Sequence, residues 1–287
     1  MTETQTHTLD VPGAMLTYDV RPPATPSGAP PLFLLASPMA AGAFTELADN
    51  LDDRTIITYD PRGTERSVLT GDVSFEIHAD DYHRVVEAVG AGPVDVFASS
   101  GGAVASLAWI VANPDDLRTV VLHEPPLASV LEDRDNVRRL LADIHETYMA
   151  NGFGPAMAKF IASVMVQGPI TEEYLNQPAP DPANFGLPTE DDGSRDDLLL
   201  GGNMATMPGF EPDMQALRAS TVRMVPAVGE ASDGQIPARG ARGLADALGL
   251  DVVTFPGDHG GFVRNEYSPN NDPAAFAKTL REVLASA

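Results

Sequence analysis

Ser100 stands in Val94-Asp95-Val96-Phe97-Ala98-Ser99-Ser100-Gly101-Gly102-Ala103-Val104-Ala105, where an apolar strand-like run meets two glycines and an apolar helix-like run. A serine on so sharp a strand-to-helix turn is held in strained geometry, and its neighbours two positions away must be small. Ala98 and Gly102 satisfy that requirement. Such a turn points the hydroxyl out of the sheet's carboxyl edge, at a helix start whose dipole favours developing negative charge. The Gly101 N–H then becomes one donor of an oxyanion hole. Ser100 therefore reads as a nucleophile, with Ala98 replacing the first glycine of G-x-S-x-G by one methyl group. An ordinary loop and a phosphate-binding turn are the other readings of Ser-Ser-Gly-Gly, and for the latter the lysine and acceptor spacing of a nucleotide site are missing.

A serine nucleophile needs a base, and the chain has six histidines. His7 sits in an N-terminal hairpin, His78 and His83 on a helix read as solvent-facing, and His145 within a helical segment. His123 ends a strand and reads as a structural or pocket-wall residue. His259 follows the last strand directly in Phe255-Pro256-Gly257-Asp258-His259-Gly260-Gly261-Phe262, with glycines on both sides that let the loop bend toward a central strand. It is the expected base.

The acid that orients the imidazole has two candidates. In Gly229-Glu230-Ala231-Ser232-Asp233-Gly234, the G-x-x-D position is Ser232, and Asp233 comes one residue late. In His123-Glu124-Pro125-Pro126, Glu124 ends the strand after the nucleophile helix, at the sheet's carboxyl edge and at the start of a helical roof. Glu124 is the expected acid and Asp233 the alternative. The second oxyanion donor should come from Leu34-Leu35-Ala36-Ser37-Pro38-Met39-Ala40. Matching proline to proline of an H-G-x-P loop assigns it to Ser37, and matching by strand length to Met39; Pro38 has no N–H.

These residues require a frame. Thr6–Val11 and Ala14–Val20 read as a hairpin, and Leu32–Leu35, Thr55–Tyr59, Val94–Phe97 and Thr119–Leu122 as strands. Helix-like segments alternate with them at Phe44–Leu51, Glu76–Val89 and Gly102–Ala112. That rhythm argues for a parallel sheet covered on both faces. It breaks after Pro125-Pro126 and returns at Val222–Val228 and Asp251–Phe255, with Pro273–Leu284 closing as a helix. The expected organisation is one α/β core domain over 1–126 and 219–287, with an eight-stranded, mostly parallel sheet, and a helical cap insertion over 127–218. An insertion there roofs the carboxyl ends of the strands, where open α/β sheets bind ligands. Within it, Met157, Phe160, Met204 and Met207 suit a deformable apolar substrate pocket, and equally a plain helix core. Asp60-Pro61-Arg62-Gly63-Thr64-Glu65-Arg66-Ser67 reads as a loop-pinning turn.

The chain of 287 residues has 18 Lys plus Arg against 41 Asp plus Glu, a formal net charge of −23. Its only lysines are Lys159 and Lys278. Nucleic acid and anionic membranes are poor partners for such a surface. With no cysteine there are no disulfides, thiol nucleophiles or Cys-ligated metals. No apolar run is long enough to span a membrane, and no signal peptide is visible, so the expectation is a cytoplasmic protein. No metal and no organic cofactor is expected, and a homodimer is left open.

With the Ala98–Gly102 elbow, the Asp60–Ser67 D-x-R-G turn, the Gly257-Asp258-His259 loop and the order of elements, the chain resembles serine hydrolases of the α/β-hydrolase fold over nearly its whole length. Phe97–Ala103 and His123–Pro126 are similar to a group of bacterial α/β hydrolases of largely unassigned substrate. The Ser100-to-Glu124 spacing is similar to that in zearalenone lactonases, whose acid likewise follows the strand after the nucleophile helix. That resemblance implies a Ser100–His259–Glu124 triad acting through an acyl-enzyme on an ester or lactone of an apolar small molecule. A perhydrolase or haloperoxidase-like activity and a carbon–carbon bond hydrolase would use the same triad. A non-catalytic ligand-binding protein would use the same scaffold.

Overall fold

The computed structural model describes residues 3–264 and 268–286. Its strands are β1 (Gln5–Val11), β2 (Ala14–Arg21), β3 (Leu32–Ser37), β4 (Ile56–Asp60), β5 (Val68–Leu69), β6 (Val94–Ser100), β7 (Leu117–His123), β8 (Arg223–Gly229) and β9 (Val253–Phe255). The helices are α1 (Thr45–Asp49), α2 (Phe75–Val89), α3 (Gly101–Ala112), α4 (Arg134–Asn151), α5 (Phe153–Val164), α6 (Glu172–Leu175), α7 (Met204–Thr206), α8 (Met214–Ala219), α9 (Ile236–Leu248) and α10 (Pro273–Ala285). Eight strands form one path in the order β1-β2-β4-β3-β6-β7-β8-β9, and the two-residue β5 pairs with β2 as a ninth. The β1–β2, β2–β4 and β2–β5 pairings are antiparallel, and every pairing along the path from β4 through β3, β6, β7 and β8 to β9 is parallel.

The central strands are apolar without polar alternation because both faces are covered. On β3, Phe33 and Leu35 join one buried cluster while Leu32, Leu34 and Ala36 join the other. On β6, Val96 and Ala98 face the first and Phe97 the second, and Val120 and Leu122 are divided from Val121 on β7 in the same way. This is the two-residue period of a strand. The first cluster includes α2 and α3, and the second includes α1 and α10. Helix α3 is buried along most of its length, from Gly101 to Ile110, which matches its nearly unbroken apolar sequence.

Helix α2 starts at Ser74, whose hydroxyl accepts from Ile77 N, and stops at Gly90 in the left-handed region. Its buried face holds Phe75, His78, Ala79, Tyr82, Val85 and Val86. His78 is thus buried, contrary to the solvent-facing expectation: at three positions after Phe75 and four before Tyr82 it falls on the apolar stripe. Burial pushes its imidazole down to about 4. His83, on the flank, is half-buried and bonds Asp116 at 2.7 Å.

Helix α9, which carries Gly240 and Gly243, has no counterpart in the sequence expectations. Both glycines lie where α9 meets the chain after β7: a Cβ on Gly240 would come within 2.1 Å of Pro125 O, and one on Gly243 within 2.7 Å of Val130 O. The segment between β7 and β8 contains helices and turns only, among the described residues. Within it, the chain makes a π-helical turn at Leu198–Asn203, then α7, then a 3₁₀ turn at Met207–Gly209.

The Asp60–Ser67 turn ties elements together. Asp60 accepts from Ala41 N and from Arg66, and the buried Arg62 guanidinium makes a two-pronged pair with buried Asp81 at 2.6 and 2.8 Å. Ser67 Oγ donates to Asp60 O and accepts from Thr17 N. None of these side chains lines the cavity described below. Among the described residues, no helix is long and apolar enough to cross a membrane.

Candidate active site

Ser100 is the last residue of β6 and the cap of α3, with φ 54° and ψ −127°. A non-glycine residue there carries strain on the order of 1–3 kcal/mol, which the surrounding packing must hold. The packing leaves no slack: a Cβ on Gly102 would lie 2.7 Å from Ala36 Cα, and one on Gly101 2.7 Å from Ser37 O. Small residues are therefore obligatory at the elbow because β3 lies directly against the start of α3. Ser37 is the register partner of Ser100 across the β3–β6 pair.

Glu124 follows β7 and is also in the left-handed region, at φ 49°. As the residue before Pro125 it is disfavoured in the right-handed helical region. Its N–H donates to Ala227 O at 2.9 Å, which continues the β7–β8 ladder by one residue. The carboxylate is fully buried. Oε1 accepts from Gly229 N at 2.8 Å and Oε2 from His259 Nδ1 at 2.6 Å. Burial alone would raise this carboxyl, but the His259 bond, the neighbouring imidazoles and the Gly229 N–H outweigh it and hold it below the usual range. The ionised carboxylate can only accept, so Nδ1 carries the proton and Nε2 keeps its lone pair.

His259 stands on the loop after β9, with its side chain about one-third exposed at 37%. Asp258 braces that loop: its carboxylate accepts from Gly260 N at 2.8 Å, Asn271 Nδ2 at 2.9 Å and Ser268 Oγ at 2.7 Å. Gly257 adopts φ 90°, with no room for a side chain against Gly261 and Asn271. His123 lies fully buried below, its ring 6.2 Å from that of His259 and inclined by 24°, with Nδ1 3.1 Å from Ser99 Oγ. Burial pushes His123 down to about 4, so it is neutral, and it lies outside the lining of the cavity described below.

The structure brings Ser100, Gly101, Ser37 and His259 to one cavity of about 670 Å³, and bonds Glu124 to His259 behind it. Phe160, Met204 and Met207 line this cavity. Met157, one turn earlier on α5, instead packs half-buried against the main apolar cluster. Met39 is exposed and outside the lining. Asp233 is not brought to His259: its side chain is 82% exposed and its carboxylate lies 3.4 Å from Arg242. Ser232, at the G-x-x-D position, is buried with no hydrogen-bond partner for its hydroxyl among the described residues.

Asn203, Gln235, Ile236 and Pro237 also line the cavity, and sequence reasoning missed all four. The last three form the start of α9, for which a proline in the first helical turn was the available signal. Nothing in Leu-Leu-Leu-Gly-Gly-Asn marks Asn203 as inward-facing.

The chain is 28% identical over 263 residues, 89% of each chain, to the "uncharacterized hydrolase YraK" of Bacillus subtilis (strain 168). Among solved structures it is similar to a thermophilic esterase from Thermogutta terrifontis, at TM-score 0.67 and 18% identity, covering 98% of both chains. It is also similar to an alpha/beta hydrolase from Sphaerobacter thermophilus DSM 20745, at TM-score 0.65 and 22% identity, covering 96% of this chain and 99% of the other. The family model described as "alpha/beta hydrolase fold" matches residues 32–191, more than half the chain. Sheet order, elbow and family match agree, and the chain belongs to the alpha/beta hydrolase fold family.

Proposed function

We propose that the protein is a serine hydrolase that cleaves an ester or lactone bond of a neutral, apolar small molecule through Ser100, His259 and Glu124. The observation that carries this reading is the 2.6 Å bond from His259 Nδ1 to the buried Glu124 carboxylate, with Ser100 and His259 both lining one cavity. Glu124 fixes the tautomer and stabilises the imidazolium that forms when His259 Nε2 takes the Ser100 proton. Ser100 Oγ attacks the carbonyl carbon, and the N–H groups of Gly101 and Ser37 receive the oxyanion. His259 returns its proton to the departing alkoxide, leaving Ser100 acylated. Water activated by His259 then releases the acid and regenerates Ser100.

The cavity supports the substrate class. Leu141, Phe160, Val164, Met204, Met207 and Ile236 make its wall apolar, and among the described residues neither Lys nor Arg lines it. Its one carboxylate among the described residues, Asp258, is engaged by the His259 loop. A substrate carboxylate would lose its hydration there without gaining a counter-charge. The region over 127–218 acts in this reading as a cap that supplies Phe160, Met204 and Met207.

A series of neutral p-nitrophenyl esters against an anionic dicarboxylic half-ester tests this. Wild type should prefer the neutral esters in kcat/KM by at least about 10-fold, and Ser100→Ala should lose activity toward all of them. Undiminished turnover by Ser100→Ala would refute the serine mechanism, and equal kcat/KM for the half-ester would refute the substrate class.

A further inference from the structure

Asn203 ends the π-helical turn Leu198–Asn203 and is buried. Widened turns of this kind redirect side chains and recur at functional sites. This one is fastened to α4: Tyr148 Oη accepts from Asp197 N at 2.9 Å, and His145 Nδ1 donates to Leu200 O at 2.9 Å. Asp197 Oδ1 also accepts from Leu200 N at 2.8 Å. From this anchored turn the Asn203 carboxamide crosses onto β3. Its Nδ2 donates to Ser37 O at 3.2 Å and Ser37 Oγ at 3.3 Å, and its Oδ1 lies 3.4 Å from Ser37 Oγ. Among the described residues, Ser37 is the carboxamide's only hydrogen-bond partner.

The same nitrogen reaches the elbow. The point a Cβ on Gly101 would occupy is 3.0 Å from Asn203 Nδ2 and 2.7 Å from Ser37 O. Gly101, Ser37 and Asn203 therefore meet at one place, 166 residues of chain separating the asparagine from the serine. A buried carboxamide is costly unless bonded, and here its bonds all go to the residue that supplies the second oxyanion N–H.

We propose that Asn203 is a positioning residue of the oxyanion hole, holding the Ser37 carbonyl and hydroxyl so that the Ser37 N–H is fixed toward the developing oxyanion. This rests on the Ser100 reading above. It makes the hole a joint product of β3, the elbow and the segment between β7 and β8. Loosening Ser37 should weaken transition-state stabilisation and leave ground-state binding in the apolar wall nearly unchanged.

The test compares wild type, Asn203→Leu, Asn203→Asp and Ser100→Ala for kcat and KM on a neutral p-nitrophenyl ester, together with the rate of fluorophosphonate labelling. Asn203→Leu should lower kcat about 10- to 100-fold with KM within about 3-fold of wild type, and labelling should slow in parallel. Asn203→Asp keeps the shape but loses the donor while ionised. Its kcat relative to wild type should rise as pH falls from 8 to 5, as the carboxyl takes up a proton and can donate again. A merely packing role predicts a raised KM, unchanged kcat and no pH dependence of the Asp-to-wild-type ratio, and that result overturns the proposal. If Asn203→Leu does not fold, the ratio for the near-isosteric Asn203→Asp decides alone. An inactive Ser100→Ala beside fully active Asn203 variants sinks this inference and leaves the serine reading standing; an active Ser100→Ala sinks both.

Discussion

Glu124 and His259 are 135 residues apart in sequence and 2.6 Å apart in the molecule, Oε2 to Nδ1. The carboxylate arrives from the end of β7 and the imidazole from the loop after β9, so the bond spans β8, which lies between those strands. β8 contributes directly: Gly229 N, at its last residue, donates to the other oxygen of Glu124. A Cβ on Gly229 would lie 2.7 Å from Asp258 O, so a side chain there would push the His259 loop away.

Replacing Glu124 should therefore cost far more than replacing Asp233. Glu124→Gln presents an amide to Nδ1 and favours the wrong tautomer, and kcat on a neutral ester should fall about 10³-fold or more. Asp233→Ala removes only an exposed partner of Arg242, and kcat should stay within about 3-fold. Steady-state rates on the two purified variants decide, and a crippled Asp233→Ala would reassign the acid.

The elbow should not tolerate one added methyl group at Gly102. Its Cβ would meet Ala36 Cα at 2.7 Å and Leu35 O at 3.1 Å, both backbone atoms that cannot swing aside. Gly102→Ala should destabilise the protein by about 1–3 kcal/mol in urea unfolding, or prevent its folding. An unchanged midpoint would show that β3 can retreat from α3.

Much of this site is legible because its geometry imposes residue types at fixed spacing. The elbow demands small neighbours around Ser100, and Glu124 is the carboxylate that ends the strand beside it. The alternation of apolar runs and helix-like segments gives the parallel sheet, since strands covered on both faces must be continuously apolar. Asn203 is not legible, since its direction depends on a π-helical turn that no local pattern encodes. Met157 and Phe160 share a sequence pattern but not a wall, because the cavity ends within one turn of α5. His78 was legible in principle: it sits on the Phe75–Tyr82 stripe, and only its polarity argued for solvent.

Stability should fall on acidification below about pH 6.5. His78 and His123 are both buried and neutral, each pushed down to about 4 in the fold. Between pH 6.5 and 4 the unfolded chain thus binds about two more protons than the folded one, which favours unfolding as pH drops. Each contributes on the order of 3 kcal/mol across that interval. Glu124, held below its usual range in the fold, adds loss in the same direction at lower pH still. Urea midpoints at pH 7.5 and 5 check this: the His78→Phe, His123→Phe double variant should lose much less stability than wild type. An equal loss would contradict the assignment.

The buried Arg62–Asp81 pair predicts an asymmetry. Arg62→Leu leaves Asp81 fully buried without its counter-charge, at a cost of about 3–5 kcal/mol. The Arg62→Leu, Asp81→Leu double variant should recover most of that. Because neither residue lines the cavity, the folded fraction of each variant should retain wild-type kcat within about 3-fold.

The most direct test of the Ser100–His259–Glu124 relay is intact-protein mass spectrometry after a fluorophosphonate probe, on wild type, Ser100→Ala and Glu124→Gln. The account predicts one adduct on wild type, none on Ser100→Ala and a much slower adduct on Glu124→Gln. An adduct that persists on Ser100→Ala, or a Glu124→Gln protein that labels at the wild-type rate, would contradict it.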